Sequence, residues 1–348
     1  MSTIPNDCIF KAKTKEAFVI KKIGELLNNT LKFAPFRVTE DGIFILKADS
    51  EKEVMEQLID ISLFRENFDV YKCKTPINFS VNTKHFYKLL TIIKKKDLVT
   101  LFIRDLESMQ LGICVQSDEY NRVVTYMRIC ATRPDEIIRP EGYSNPIIIT
   151  SKDFQKMKNL NNISTTINVT SKPEYIRFYC DGGELYSREL VIGNSDSCEE
   201  EDCKVYKQDF KTSHITSLTK CASQSGNVQV FVHEDLGMKI KMNASNLGEI
   251  IVYIKSTQMI EDENPEKDVQ TDEDQSDVEE ESRGSQKLIN QEMTEEAELI
   301  DEYQNNSSSK KEESDEELNE NLERLSVSKK GSSGIKKSES KAPIKRKK

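Results

Sequence analysis

The chain has 348 residues, 36% of them hydrophobic, and 50 lysines and arginines against 60 aspartates and glutamates give a formal net charge of −10. That length allows two ordinary domains, and the apolar content suffices for a core only where it is concentrated. Residues 1–260 carry 34 acidic and 35 basic side chains while residues 261–348 carry 26 and 15, so the net negative charge sits in the last quarter and does not exclude a nucleic-acid partner for the rest.

The eight cysteines are scattered without a CxxC pair, and with three histidines in the chain they supply no zinc-ligand set. They read as reduced packing residues, and no metal or other cofactor is expected. No apolar run reaches the length of a membrane span and the opening MSTIPNDCIF lacks a signal-peptide core, so a soluble, intracellular protein without a membrane partner is expected.

In chain order, Lys15 to Asn28 places Phe18, Ile20, Ile23, Leu26 and Leu27 at helical spacing. Strands at 36–38 and 43–46 flank a Glu40-Asp41-Gly42 turn, and further strands are predicted at 58–64 and 68–73. A second helix over Thr83 to Ile93 leads to a hairpin of 98–104 and 109–116, then a strand from Val123 to Ala131. Residues 132–146, with three of the nine prolines, read as an extended connector. The order then repeats: a short helix at 151–161, strands at 165–170, 175–180, 185–192 and 205–210, a helix at 213–223, and strands at 227–233, 238–242 and 249–255. Beyond Met259 the Glu, Asp, Ser, Asn and Lys content leaves too little apolar area to offset the entropy of ordering, so a disordered tail is expected. Its end, GIKKSESKAPIKRKK, is basic and reads equally as a nuclear-import signal or a solvated charge run. The division is thus 1–131, a connector at 132–146, 147–258, and a tail at 259–348.

The four helices share a charge bias. The first carries Lys15, Lys21 and Lys22; the second carries Lys84 and Lys88; the third carries Lys152, Lys156 and Lys158; and the fourth is flanked by Lys211 and carries Lys220. Acidic residues among them are few: Glu16, Glu25 and Asp153. One such face is ordinary on an exposed helix, but four point to phosphate contacts made without base-reading aromatic or amide groups, hence double-stranded DNA held without sequence specificity. No GxxxxGK[ST], HExxH or GxSxG occurs, and His85, His214 and His233 are far apart, so no catalytic constellation is visible and no enzyme is expected.

Several strings, in order, resemble the proliferating cell nuclear antigen family of sliding clamps over residues 8–256. FDVYKC (68–73) is similar to its FxxYRC strand, VNTKHFYKLL to its VNLxxxxKIL helix entry with Lys88 in the place of the lysine, TEDGIFILKADS (39–50) to its SSxGVxLQxxDSS hairpin, and ASNLGEIIVYIKS (244–256) to its final strand, with Gly248 and Tyr253 in register. The resemblance implies an α+β fold of two duplicated sliding-clamp domains, outer β-sheets with two inner helices per domain, closing head to tail as a homotrimeric ring. It further implies pairing of the edge strands Val123–Ala131 and Leu185–Ile192 between subunits. The expected partners are double-stranded DNA, DNA polymerase and other clamp-binding-motif proteins, a clamp loader and the chain itself. Partner peptides with a helical plug would dock in an outer pocket at Ala48, Ile137, Ile138, Pro140, Tyr143, Tyr253 and Lys255, where Lys255 replaces a small residue. A DNA polymerase processivity factor of replication and repair is implied, in a nucleus or in a viral replication factory; the Asn, Lys and Ile bias suits a large DNA virus or an AT-rich eukaryote. A subunit of a heterotrimeric checkpoint clamp is the alternative, and Ser276 and Ser314 in acidic contexts suit that reading or any acidic tail.

Overall fold

The structure is a computed structural model, and it describes residues 7–49, 54–118, 120–134, 136–143, 145–173, 175–183, 186–193 and 205–263. The expected tail beyond Glu263 with its basic end, the cysteines Cys198 and Cys203, and Ser276 and Ser314 lie outside the described residues.

The first half runs β1 (Phe10–Thr14), α1 (Ala17–Thr30), β2 (Phe33–Val38), β3 (Gly42–Ala48), β4 (Gln57–Phe64), β5 (Val70–Cys73), β6 (Ile77–Asn82), α2 (Thr83–Leu90), β7 (Leu98–Ile103), β8 (Gln110–Gln116) and β9 (Arg122–Arg128). After β10 (Cys130–Ala131) and the connector, the second half runs β11 (Ile147–Thr150), α3 (Ser151–Gln155), a 3-10 helix (Lys156–Asn162), β12 (Thr166–Lys172), β13 (Tyr175–Asp181), β14 (Ser187–Gly193), β15 (Tyr206–Lys211), α4 (Thr212–Ala222), β16 (Asn227–His233), β17 (Gly237–Asn243) and β18 (Gly248–Ile254). A strand, a helix, a run of strands, a helix and three strands therefore occur twice. A last helix, α5 (Thr257–Glu263), continues past Met259, where the sequence reading places the start of the tail, and Lys255 pairs there with Glu263.

Alternation drives the strands. In β6, Ile77, Phe79 and Val81 are buried, and in β12 the buried residues are Ile167, Val169 and Ser171, as a pleated strand with one solvated face requires. The sheets are β5-β1-β7-β8-β9, β14-β13-β12-β15, and a nine-stranded sheet β10-β6-β2-β3-β4-β18-β17-β16-β11 that joins the halves where β4 pairs with β18. Gly248 is required at this seam, because a Cβ there would stand 1.9 Å from the Ser62 carbonyl oxygen. Phe36 stacks on Phe79 at 5.4 Å and meets Phe86 edge-on at 5.6 Å, tying the sheet to α2.

Strands β1, β6 and β11 fall where no strand is predicted, and three predicted elements take a different form. The strand predicted from Val123 to Ala131 is two, since buried Ile129 carries the chain from the edge of the five-stranded sheet to the edge of the nine-stranded one, where β10 pairs with β6. The second helix ends at Leu90: the Lys21 ammonium takes up the carbonyls of Thr91 (2.5 Å) and Ile93 (3.0 Å), and Asp97 accepts from the Lys94 amide (2.8 Å), which closes a turn in place of further helix. The third helix keeps α geometry for five residues and then tightens into the 3-10 segment, which contains Asn159, Asn161 and Asn162, residues of low helix propensity.

Candidate nucleic-acid interface and partner pocket

The helices form a continuous row. α1 packs on α2, where a Cβ on Gly24 would lie 2.6 Å from Leu90 Cδ1, and α1 also packs on α4, which in turn packs on α3 and the 3-10 segment. Their buried faces carry Val19, Ile20, Ile23, Leu26, Phe86, Leu90, Phe154, Met157, Ile215 and Leu218. Lys84, Lys88, Lys152, Lys156 and Lys158 are exposed on the other side of the row, with Lys156 bonded to Asp153 at 2.7 Å.

The remaining predicted lysines have other surroundings. Lys15 precedes α1, in contact with Asp69 at 3.8 Å. Lys21 caps the end of α2. Lys22 (2.7 Å) and Lys220 both clasp Glu25, a carboxylate 9% exposed between α1 and α4, while the Cys221 thiol donates to the Lys22 carbonyl at 3.3 Å. Lys211 bonds Glu56 at 2.6 Å, and Glu56 also lies 3.3 Å from His214 Nε2. Glu56 belongs to the first half, and Lys211 and His214 to the second, so this buried group spans the seam as the Glu25 clasp does. Sequence reasoning missed both, because their partners are 155 and 195 positions apart.

Burial alone would raise the Glu25 pKa, but hydrogen bonds from Lys22 and Lys220 outweigh it and hold the carboxyl below its ordinary value of 4.5. A carboxyl depressed in the folded state contributes stability above its unfolded pKa and loses it as pH falls through the folded one. Thermal melts are therefore expected to drop as pH falls below about 4.5, with E25Q reducing that pH dependence and costing about 2 kcal/mol at neutral pH through its lost charged hydrogen bonds. An unchanged pH profile in E25Q would show that the clasp contributes nothing.

On the outer face, the cross-strand pairs Phe231–Lys239, Lys239–Tyr253, Tyr253–Leu58 and Leu58–Ala48 make one row across β16, β17, β18, β4 and β3. The connector lies over it. Arg139 grips Asp60 with two bonds of 2.6 and 3.2 Å, the Tyr143 hydroxyl donates to the Leu236 carbonyl at 2.8 Å, and the Tyr143 ring stands 6.2 Å from Tyr253, 6.4 Å from Phe231 and 6.3 Å from His233. Burial raises the pKa of both tyrosines, so their hydroxyls stay protonated. Of the predicted pocket residues, Ala48, Tyr143 and Tyr253 thus come together; Ile137 and Pro140 are half-buried on the connector, and Ile138 is 91% exposed. Lys255 turns instead to Glu263 on α5. Phe231, Lys239, Arg139 and Asp60 were missed. Arg139 sits in the predicted connector, but nothing in sequence separates Lys239 from the solvated lysines of an alternating strand.

The two smaller sheets end in β5 and β9 and in β14 and β15, and among the described residues nothing pairs beyond these strands; β9 and β14 are the ends that hold the predicted edge strands. Val123 on the first edge is 54% exposed and Val191 on the second 42%. Among the described residues no helix is long and apolar enough to cross a membrane, and no group of three His, Cys, Asp or Glu side chains is placed to hold a metal ion.

This duplicated layout has counterparts. The family pattern for proliferating cell nuclear antigen, N-terminal domain, matches residues 9–131, and that for proliferating cell nuclear antigen, C-terminal domain, matches residues 137–257. The fold is a duplicated sliding-clamp fold, and the chain belongs to the proliferating cell nuclear antigen family of DNA polymerase sliding clamps. It is 21% identical over 253 residues to a probable DNA polymerase sliding clamp of Paramecium bursaria Chlorella virus 1, an alignment covering 70% of this chain and 95% of the viral one. Among solved structures, the proliferating cellular nuclear antigen of Entamoeba histolytica superposes with a TM-score of 0.61 at 17% identity, covering 72% of this chain and 99% of its own. At that identity the superposition speaks for the fold.

Proposed function

We propose that three copies of this chain close head to tail into a ring around duplex DNA and that the ring serves as a non-catalytic processivity platform for replication and repair proteins. The observation that carries this reading is the pair of open edges, β9 and β14, one in each half of a chain whose helices present exposed lysines in a single row. Two different edges on one subunit give a heterologous contact that repeats around a closed ring. Joining them pairs backbone groups that an isolated sheet leaves to water.

In the ring, Lys84, Lys88, Lys152 and Lys158 face phosphates, with Lys21 and Lys156 beside them; Lys22, Lys211 and Lys220 act mainly as clasps across the two halves. Lysine makes compact point-charge contacts that carry no sequence information, so the ring slides. DNA polymerase and other clamp-binding proteins dock under the connector at Tyr143 and Tyr253, a clamp loader opens the ring, and the work takes place in a nucleus or at a viral replication site. The folded unit divides at the connector, 132–146, into the clamp domains 1–131 and 147–258. Native mass measurement of the purified chain tests the assembly. Three chains of 39.9 kDa in one particle is the expected result. A single chain that enters a ring only with two other kinds of subunit would favour the checkpoint-clamp reading.

A further inference from the structure

Among the described residues, the row of rings beneath the connector surrounds a cation without an ion-pair partner. Lys239 points from β17 into three aromatic rings, its ammonium 4.7 Å from the centroid of Phe231, 5.4 Å from Tyr143 and 5.8 Å from Tyr253. Both carboxylates that act on it are held by other cations: Asp60 by Arg139 at 2.6 Å, and Glu249 by Lys241 at 2.6 Å. Of the cations Arg139, Lys241 and Lys239, Lys239 is the one for which no ion pair or hydrogen bond is formed among the described residues. Glu141, the other carboxylate of this neighbourhood, is exposed on the connector near Tyr253. Burial, and then the charge of Lys241, push the Lys239 pKa down, as expected for an ammonium that has lost water without gaining a carboxylate.

Aromatic faces compensate an ammonium in part, but a ligand seated on the row would strip the remaining water from it. A wholly apolar plug would bury the charge unpaired; a plug carrying a carboxylate would pair it in a setting of low dielectric. The site thus discriminates against the first as much as it attracts the second. We propose that the pocket under the connector selects partner peptides whose plug carries an acidic side chain, with Lys239 as its counter-ion and Tyr143, Phe231 and Tyr253 as its walls. This rests on the reading of that pocket as the docking site.

The test uses the purified full-length chain and synthetic helical-plug peptides with an apolar anchor, each plug position bearing glutamate in one peptide and glutamine in its twin. At one position the glutamate peptide is expected to bind about tenfold more tightly than its twin, the preference shrinking at high salt. Lys239→Met should erase the difference, while Tyr253→Ala weakens both twins alike. Equal binding of the twins at every position on the wild-type chain would overturn the counter-ion role and leave the docking reading standing. A glutamate preference that survives Lys239→Met would overturn it too. If no peptide of either kind binds, the docking reading itself fails and takes this inference with it.

Discussion

An aspartate at Val191 or at Val123 is expected to convert the assembled clamp into folded single chains. Both valines are largely exposed on open edges, 42% and 54%, so neither substitution removes much packing from the isolated subunit, whose melting should change by no more than about 0.5 kcal/mol. In the ring each edge strand is covered by its neighbour, and the new carboxylate would be buried without a partner, at a cost of several kcal/mol per contact. The proposed contact is heterologous, so one substitution would spoil all three at once. Mass measurement should find one chain of 39.9 kDa in place of three, with the circular dichroism of the wild type. A particle of wild-type mass would place the subunit contact elsewhere.

The second large effect concerns DNA. Replacing Lys84, Lys88, Lys152 and Lys158 together by alanine is expected to lower the slope of log affinity against log salt by about 3.6, since each of the four phosphate contacts contributes about 0.9, and to shorten the stretches copied by a clamp-dependent polymerase. Stability should be nearly untouched, because all four side chains are exposed. Alanine at Lys22 and Lys220 should behave in the opposite way. Those two neutralise Glu25, so their loss strands a carboxylate 9% exposed and lowers the melting temperature more than it changes the salt slope. If the exposed set left DNA binding unchanged, the row of helices would not be the DNA-facing surface.

The sequence was most informative where a physical signal is local. The periodic run around Ile20, Ile23 and Leu27 defines α1 to within two residues at each end, and the strand predicted at 165–170 contains the buried Ile167 and Val169 of β12. β1 was harder to read: FKAKT sets lysines between buried Phe10 and Ala12 and looks polar over so short a span. β11 is only the four residues IIIT between the connector and α3, too short to show a period, and no strand is predicted there. The break at Ile129 was invisible, since passing from one sheet to another alters pairing partners without altering the apolar pattern. The same limit explains the candidate site. Lysines on helices were readable, but which of them meet a carboxylate depends on residues far away in the chain, as with Glu25 and Lys220 or Glu56 and Lys211. Lys239 follows the alternation of its strand, and only the pairing of β16, β17 and β18 reveals the three rings around it.

A ring that encircles DNA is held by topology and not by contact strength. The chain, loaded by a clamp loader onto a nicked circular duplex and washed at high salt, should remain on the circle, because a closed ring needs no strong contact to stay. Cutting the circle once should release it within the time needed to slide off an end. Retention on the linear product equal to that on the circle, or loss from the circle at the same salt, would contradict the account.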